Sequence, residues 1–196
     1  NDLKYSPNGR FLVSSGGDGF VKLWDNTGLH EQLQAWNMIE EAGEAWIDDL
    51  IFSVSTCSKY IAVSIGNCAF LKDVEGGNTI KSLRAPSISL NEKICTIRFS
   101  SNERAILICG QQQKMAFVKV WRPYLDDDDD GRLITLWGEV ESNLGVITFE
   151  FSHDNTMVVI LNIDIYKRWH VNKGTLLSID KGYKCLTKKF DFVGRT

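Results

Sequence analysis

The sequence predicts an all-β fold made of four copies of one four-stranded antiparallel unit, followed by one strand of a fifth. Three observations carry that prediction. Two anchor positions recur together, apolar residues alternate at the strand period inside each unit, and turn-forming residues fall at matching places. The aromatic before the first turn of each unit stands at Tyr5, Phe52, Phe99 and Phe151, in steps of 47, 47 and 52 residues. The third-strand position stands at Trp24, Leu71, Trp121 and Trp169, in steps of 47, 50 and 48. Two anchors moving at nearly one period mark a repeat architecture, in which each unit buries its apolar face against a neighbour.

Each element has its own signal. The first strands alternate as Leu3/Tyr5, Leu50/Phe52, Cys95/Ile97/Phe99 and Ile147/Phe149/Phe151, giving one apolar face apiece. Polar turns follow at Ser6–Gly9, Ser53–Ser58, Ser100–Glu103 and Ser152–Asn155, rich in side chains that hydrogen-bond the nearby backbone. Second strands are read at Phe11–Ser15, Tyr60–Ser64, Ala105–Cys109 and Met157–Leu161, near-continuous apolar runs that suit strands covered on both faces. Hairpin turns at Asp18-Gly19 and Gly66-Asn67 lead into the third strands. Fourth strands are read at His30–Ala35, Thr79–Leu83, Arg132–Trp137 and Thr175–Ile179, and Lys184–Phe192 reads as the opening strand of a fifth unit.

Composition narrows the function classes. The chain has 196 residues, 43% hydrophobic and 24% charged, which is a folded globular composition. A net charge of -3 supplies no broad positive field and argues against a nucleic-acid partner. No apolar run approaches the ~20 residues of a membrane span. The five cysteines, Cys57, Cys68, Cys95, Cys109 and Cys185, include no C-x-x-C pair. They read as buried reduced thiols of an intracellular protein, cytoplasmic or nuclear, and not as a zinc site.

The first unit resembles a WD40 repeat through Tyr5-Ser6-Pro7-Asn8-Gly9, Asp18-Gly19 and Val21-Lys22-Leu23-Trp24-Asp25. The third resembles it through Ile97-Arg98-Phe99-Ser100 and Val118-Lys119-Val120-Trp121-Arg122, and the fourth through Phe149–Asp154 and Arg168-Trp169-His170. The resemblance implies a β-propeller arc of four blades, at about 1–36, 46–85, 93–139 and 144–180, with a fifth beginning at 183–193 of the single unit 1–196. It also implies a hydrogen-bonded set inside a blade. Ser14 or Ser15, Asp18 and Trp24, followed by Asp25, match that set in blade one. Trp121 and Trp169 hold its tryptophan place, Ile65 stands where blade two would need the Asp, and blade four offers Ile163 and Asp164. Only blade one is therefore expected to keep most of the network. The Gly-His dipeptide of the family is absent throughout, so the other blades are expected to rely on apolar packing. Asn1 opens inside a strand-like run, and four blades with a spare strand are too few for a ring of this family. The chain is therefore expected to be part of a larger propeller, its open edges covered by additional blades or by self-association.

Sites of chemistry are sparse. Asp126–Asp130 is a run of five carboxylates that cannot converge on one ion and reads as a solvated loop. His30, His153 and His170 fall in no triad or metal spacing. Gly16, Gly17 and Gly19 precede a strand, so they form a hairpin and not a phosphate loop. Lys181, Lys184, Lys188 and Lys189, interleaved with Tyr183 and Phe190, read as an exposed strand face. The connection 34–49 mixes aromatics with acids, and Trp36, Glu44, Trp46 and Asp48 are the candidate contact residues for a protein or peptide partner.

No catalytic, cofactor-binding or metal residues are expected. A carboxylate-lined central pocket would need acids on the inner strands, where apolar residues, Ser and Thr stand. The function implied is a non-catalytic interaction scaffold. The alternative is a sensor or ligand-binding propeller of a NACHT-type signalling NTPase, since the degenerate third-strand endings resemble those of fungal proteins of that kind.

Overall fold

In the computed structural model the chain forms four consecutive antiparallel sheets, each laid down strand by strand in sequence order. The structure describes residues 2–28, 30–43, 50–83, 92–112, 115–123, 132–141, 148–162 and 165–181. The first sheet holds β1 (Asp2–Tyr5), β2 (Phe11–Ser15), β3 (Phe20–Asp25) and β4 (Gln32–Asn37). A short helix, α1 (Met38–Ala42), precedes the second sheet of β5 (Ile51–Val54), β6 (Tyr60–Ile65), β7 (Cys68–Asp73) and β8 (Thr79–Leu83). The third holds β9 (Glu92–Phe99), β10 (Ile106–Gln112), β11 (Met115–Arg122) and β12 (Arg132–Glu141). The fourth holds β13 (Thr148–Phe151), β14 (Met157–Asn162), β15 (Ile165–His170) and β16 (Thr175–Lys181). The fifth-unit strand expected at 183–193 lies outside the described residues.

Hydrophobic burial occurs in three seams between successive sheets. Val13, Val21, Leu23 and Trp36 of the first sheet meet Phe52, Ile61, Val63 and Phe70 of the second. Ala62, Ala69, Leu71 and Leu83 meet Ile97, Ile106, Ile108 and Trp121 of the third. Leu107, Val118, Val120 and Leu136 then meet Phe149, Val158 and Ile160 of the fourth. Both faces of an inner sheet are thus covered, which is why β6 and β7 carry almost unbroken apolar runs. The four sheets form an arc of a β-propeller.

One turn recurs between the first and second strands of every sheet. Ser6, Ser55, Ser100 and Ser152 are buried. Each Oγ accepts from an N–H five residues on, Phe11 at 2.9 Å and Tyr60, Ala105 and Met157 at 3.0 Å. Three residues after each serine the chain turns left-handed, with φ of 70° at Gly9, 62° at Ser58, 62° at Glu103 and 56° at Asn155. Only glycine adopts that conformation without steric cost. The three other residues use their side chains to hold the preceding sheet's turn. Ser58 Oγ accepts from Asn8 N at 3.2 Å, Glu103 Oε1 from Cys57 N, and Asn155 Oδ1 from Ser101 N at 3.0 Å.

This turn frame corrects the register expected from sequence. Ser55 is the counterpart of Ser6, so the residue before the second turn is Val54, not Phe52. Val54 pairs with Ile61 and Ile61 with Lys72, as Tyr5 pairs with Leu12 and Leu12 with Trp24. Lys72, not Leu71, therefore stands in the tryptophan position. Phe52 and Val54 share one face of β5, so alternation alone does not separate them. The first fourth strand also begins at Gln32 and not at His30, and reaches Asn37.

The two sides of the first sheet differ. Leu3 and Tyr5 are 60% and 63% exposed, although they occupy the places of Phe52 and Val54 in the second sheet. Phe52 is covered by the first sheet; among the described residues nothing covers Leu3 and Tyr5.

Candidate functional site

The connection from the first sheet to the second begins with α1, which is held at both of its ends. Asn37 caps α1 by accepting from Glu40 N at 3.3 Å, and Gly43 ends the helix with its N–H on Ile39 and Glu40 carbonyls. Met38 N donates to Gly19 O at 3.0 Å, and Met38 is fully buried. A Cβ on Gly19 would lie 2.2 Å from Ile39 Cδ1, so the β2–β3 hairpin needs glycine to admit the helix.

A polar clasp ties the same segment to the second sheet. Lys72, 1% exposed, directs its ammonium to Glu41 Oε1 on α1 and donates to Thr79 Oγ1 at 2.7 Å. Thr79 Oγ1 donates in turn to Glu41 Oε2 at 3.1 Å. Trp36 completes the cluster: its ring lies 5.8 Å from Lys72 Nζ, and its Nε1 donates to Gly77 O at 2.7 Å. Burial pushes the Lys72 ammonium below its usual pKa, and the Glu41 carboxylate offsets this only in part.

The candidate contact residues separate in this frame. Trp36 is 5% exposed and packs in the seam, so its indole serves the fold. Glu44, Trp46 and Asp48 lie outside the described residues, as do Asp126–Asp130, Cys185 and Lys184, Lys188 and Lys189. In the first sheet Trp24 Nε1 donates to Ser14 Oγ at 2.9 Å, the one pair of the expected blade network that forms. Asp18 instead accepts from Phe20 N and pairs with Lys22, and Asp25 accepts from Thr27. Trp121 is fully buried in the second seam, while Trp169 Nε1 in the third is buried without a partner. Of the thiols, Cys68 and Cys109 are buried, but Cys57 and Cys95 are exposed, which corrects the expectation of uniform burial. Cys57 is exposed because it sits in a turn, and Cys95 stands at the register shift of β9, between Ile94 and Thr96.

Two grooves open at the strand ends that carry the serine turns. One, of about 500 Å³ between the first and second sheets, is lined by Arg10, Lys59, Asp73 and Glu75 among others. The other, of about 420 Å³ between the third and fourth, is lined by Asn102, Arg104, Arg122, Asp154, Asn155 and Asn172 among others. Sequence reading missed the clasp and both grooves. The visible signal was the basic residue ending three of the turns, Arg10, Lys59 and Arg104.

Comparison with known proteins agrees with this geometry. Residues 1–25 match the family model "WD domain, G-beta repeat". Among solved structures the chain is similar to the dihydro-heme d1 dehydrogenase NirN in complex with DHE, with a TM-score of 0.62 at 12% identity. The alignment covers 91% of this chain and 36% of that one, so the likeness is one of fold. No curated protein matches by sequence. Residues 1–25 thus match a WD40 repeat within a chain that folds as a β-propeller arc. No described helix is long and apolar enough to cross a membrane.

Proposed function

We propose that this chain is a non-catalytic, intracellular scaffold whose partner is a protein or peptide with a basic or amphipathic segment. The observation that carries the reading is the WD40 repeat at residues 1–25 within a propeller arc. One feature of the molecule supports a binding role. The start of the connection after the first sheet is held by Met38, Trp36 and the Glu41–Lys72 pair. Glu44, Trp46 and Asp48 are the contact residues of this proposal, with the carboxylates meeting cations and the indole acting as anchor. NirN is an enzyme by name, but at 12% identity the likeness carries its fold and not its activity.

The test is capture of a partner by the purified chain, identified by mass spectrometry and then reconstituted from two pure components. The triple variant E44K/W46A/D48K is expected to lose that partner while keeping its thermal midpoint. Equal capture by both forms would remove this surface from the proposal, and failure to bind any protein would remove the scaffold reading.

A further inference from the structure

The groove between the third and fourth sheets differs in charge from its counterpart between the first and second. The first groove balances Arg10 and Lys59 against Asp73 and Glu75. Among its described lining residues the other has Arg104, Arg122 and one carboxylate, Asp154. Asp154 is already committed to its own turn. Its carboxylate accepts from Ser152 Oγ at 2.5 Å, Thr156 Oγ1 at 2.7 Å and Thr156 N at 3.1 Å. Arg122, at the end of β11, reaches from the third sheet to the fourth and donates through Nη2 to Asn172 Oδ1. Arg104 is held at its backbone, where its N–H donates to Asn102 Oδ1 at 3.1 Å. Its guanidinium makes no hydrogen bond or ion pair with a described residue. Two forked cations thus line one groove, one of them fixed and the other available, in a chain whose overall charge is -3.

We propose that this groove binds an oxyanion carried on a peptide side chain, a carboxylate or a phosphate, between the guanidinium groups of Arg104 and Arg122. Guanidinium matches both anions in planar, two-point geometry, which an ammonium does not. The amide groups of Asn102 and Asn172 border the same groove and supply further polar lining. A volume of about 420 Å³ admits one side chain with its flanking backbone. The site lies at the strand ends opposite the Gly19 hairpin and shares no residue with the contact proposed at Glu44, Trp46 and Asp48.

Amide chemical-shift mapping on the whole, isotope-labelled chain tests this with defined probes. These are a Gly/Ser dodecapeptide bearing one glutamate, the same peptide bearing one phosphoserine, the uncharged parent, and inorganic phosphate. At least one charged peptide is expected to shift the amides of Asn102, Arg104, Asn155 and Asn172 saturably, and the parent peptide to leave them unmoved. Arg104→Gln should weaken that binding about tenfold, as loss of a charge-assisted two-point contact would. Arg10→Gln, at the matching position of the first groove, should not. Which peptide binds distinguishes carboxylate from phosphate, and binding of inorganic phosphate alone would identify a free-anion site and overturn the peptide assignment. Equal weakening by both substitutions, or no Arg104-dependent shift with any probe, would overturn the site. E44K/W46A/D48K should bind these peptides as the native chain does, so this test and that of the scaffold surface fail independently.

Discussion

In the first sheet the third strand carries Trp24, whose indole donates to Ser14 within its own sheet. In the second sheet the same register position is Lys72, whose ammonium leaves the sheet for Glu41 on the helix that follows the first. In the fourth it is Trp169 again, but Ile160 occupies the place of Ser14, and the indole N–H is left without a partner. One position thus closes inside a sheet, across a seam, or not at all. The difference teaches that the repeat conserves a place for a large buried side chain, while its polar end is free to be used elsewhere. At Lys72 it fastens an inter-sheet connection that apolar packing alone would hold less specifically.

The largest effect should come from breaking that clasp. Glu41→Gln leaves the Lys72 cation buried without its counter-charge and should cost about 3 kcal/mol, the lower end for a broken buried pair because Glu41 is itself 31% exposed. Urea unfolding would read this directly. The double variant E41Q/K72M should recover most of the loss, since an apolar chain of similar length needs no counter-charge. A double variant as unstable as E41Q alone would mean that Glu41 acts through some other contact.

The serine turns of the second and third sheets offer a smaller test. Ser100 Oγ accepts from Ala105 N and donates to Asn102 Oδ1 at 2.8 Å, whereas Ser55 Oγ meets only the Sγ of Cys57, at 3.4 Å, in that place. Ser100→Ala should therefore cost about 2 kcal/mol and Ser55→Ala about 1 kcal/mol. Equal midpoints in thermal melts would show that the Asn102 acceptor contributes nothing. Smaller still, Ser14→Ala should cost about 1 kcal/mol or less, because Trp24 is only half-buried and water can take its N–H. Its readout is a tryptophan fluorescence shift at an almost unchanged midpoint.

The weakest effect belongs to the fourth turn. Hydrogen bonds from Ser152 and Thr156 hold the Asp154 carboxyl at about 2, against 3.8 when unfolded. A depressed folded pKa means stability that is fully present above pH 3.8 and lost as pH falls towards 2. Carboxyl NMR should give Asp154 a midpoint of about 2, and Asp154→Asn should flatten the acid-unfolding curve between those values. A midpoint near 3.8 would show that these bonds do not form in solution. In the third turn burial pushes the Glu103 carboxyl up, but bonds from Cys57 and Thr56 of the second turn outweigh it and hold the group below its usual value.

Much of the architecture was legible before any coordinates. The β2–β3 hairpin followed from Asp18-Gly19, the strand Thr79–Leu83 was placed to the residue, and the polar turns were recognised as such. The blade network was legible only through Ser14 and Trp24; Asp18 goes to Lys22 instead. The candidate contact surface was read from composition. Composition does not show which way an indole faces, and Trp36 turned inward.

What the sequence determined by itself was the repeat: strands, turns and their order. Those depend on local chemistry, on serine and asparagine bonding nearby backbone and on side chains alternating along a strand. The tertiary structure alone decided the register of the second sheet, the burial of Lys72 beside Glu41, and the bonds from Ser58, Glu103 and Asn155 to the preceding turns. It also decided which charged side chains line each groove. The Lys72–Glu41 pair and the three turn bonds join residues 31 to 54 positions apart across a seam. In β7 five of six residues are buried, so no alternation marks which of them faces the first sheet. A lysine in such a strand reads as an interruption until the glutamate that receives it is placed beside it.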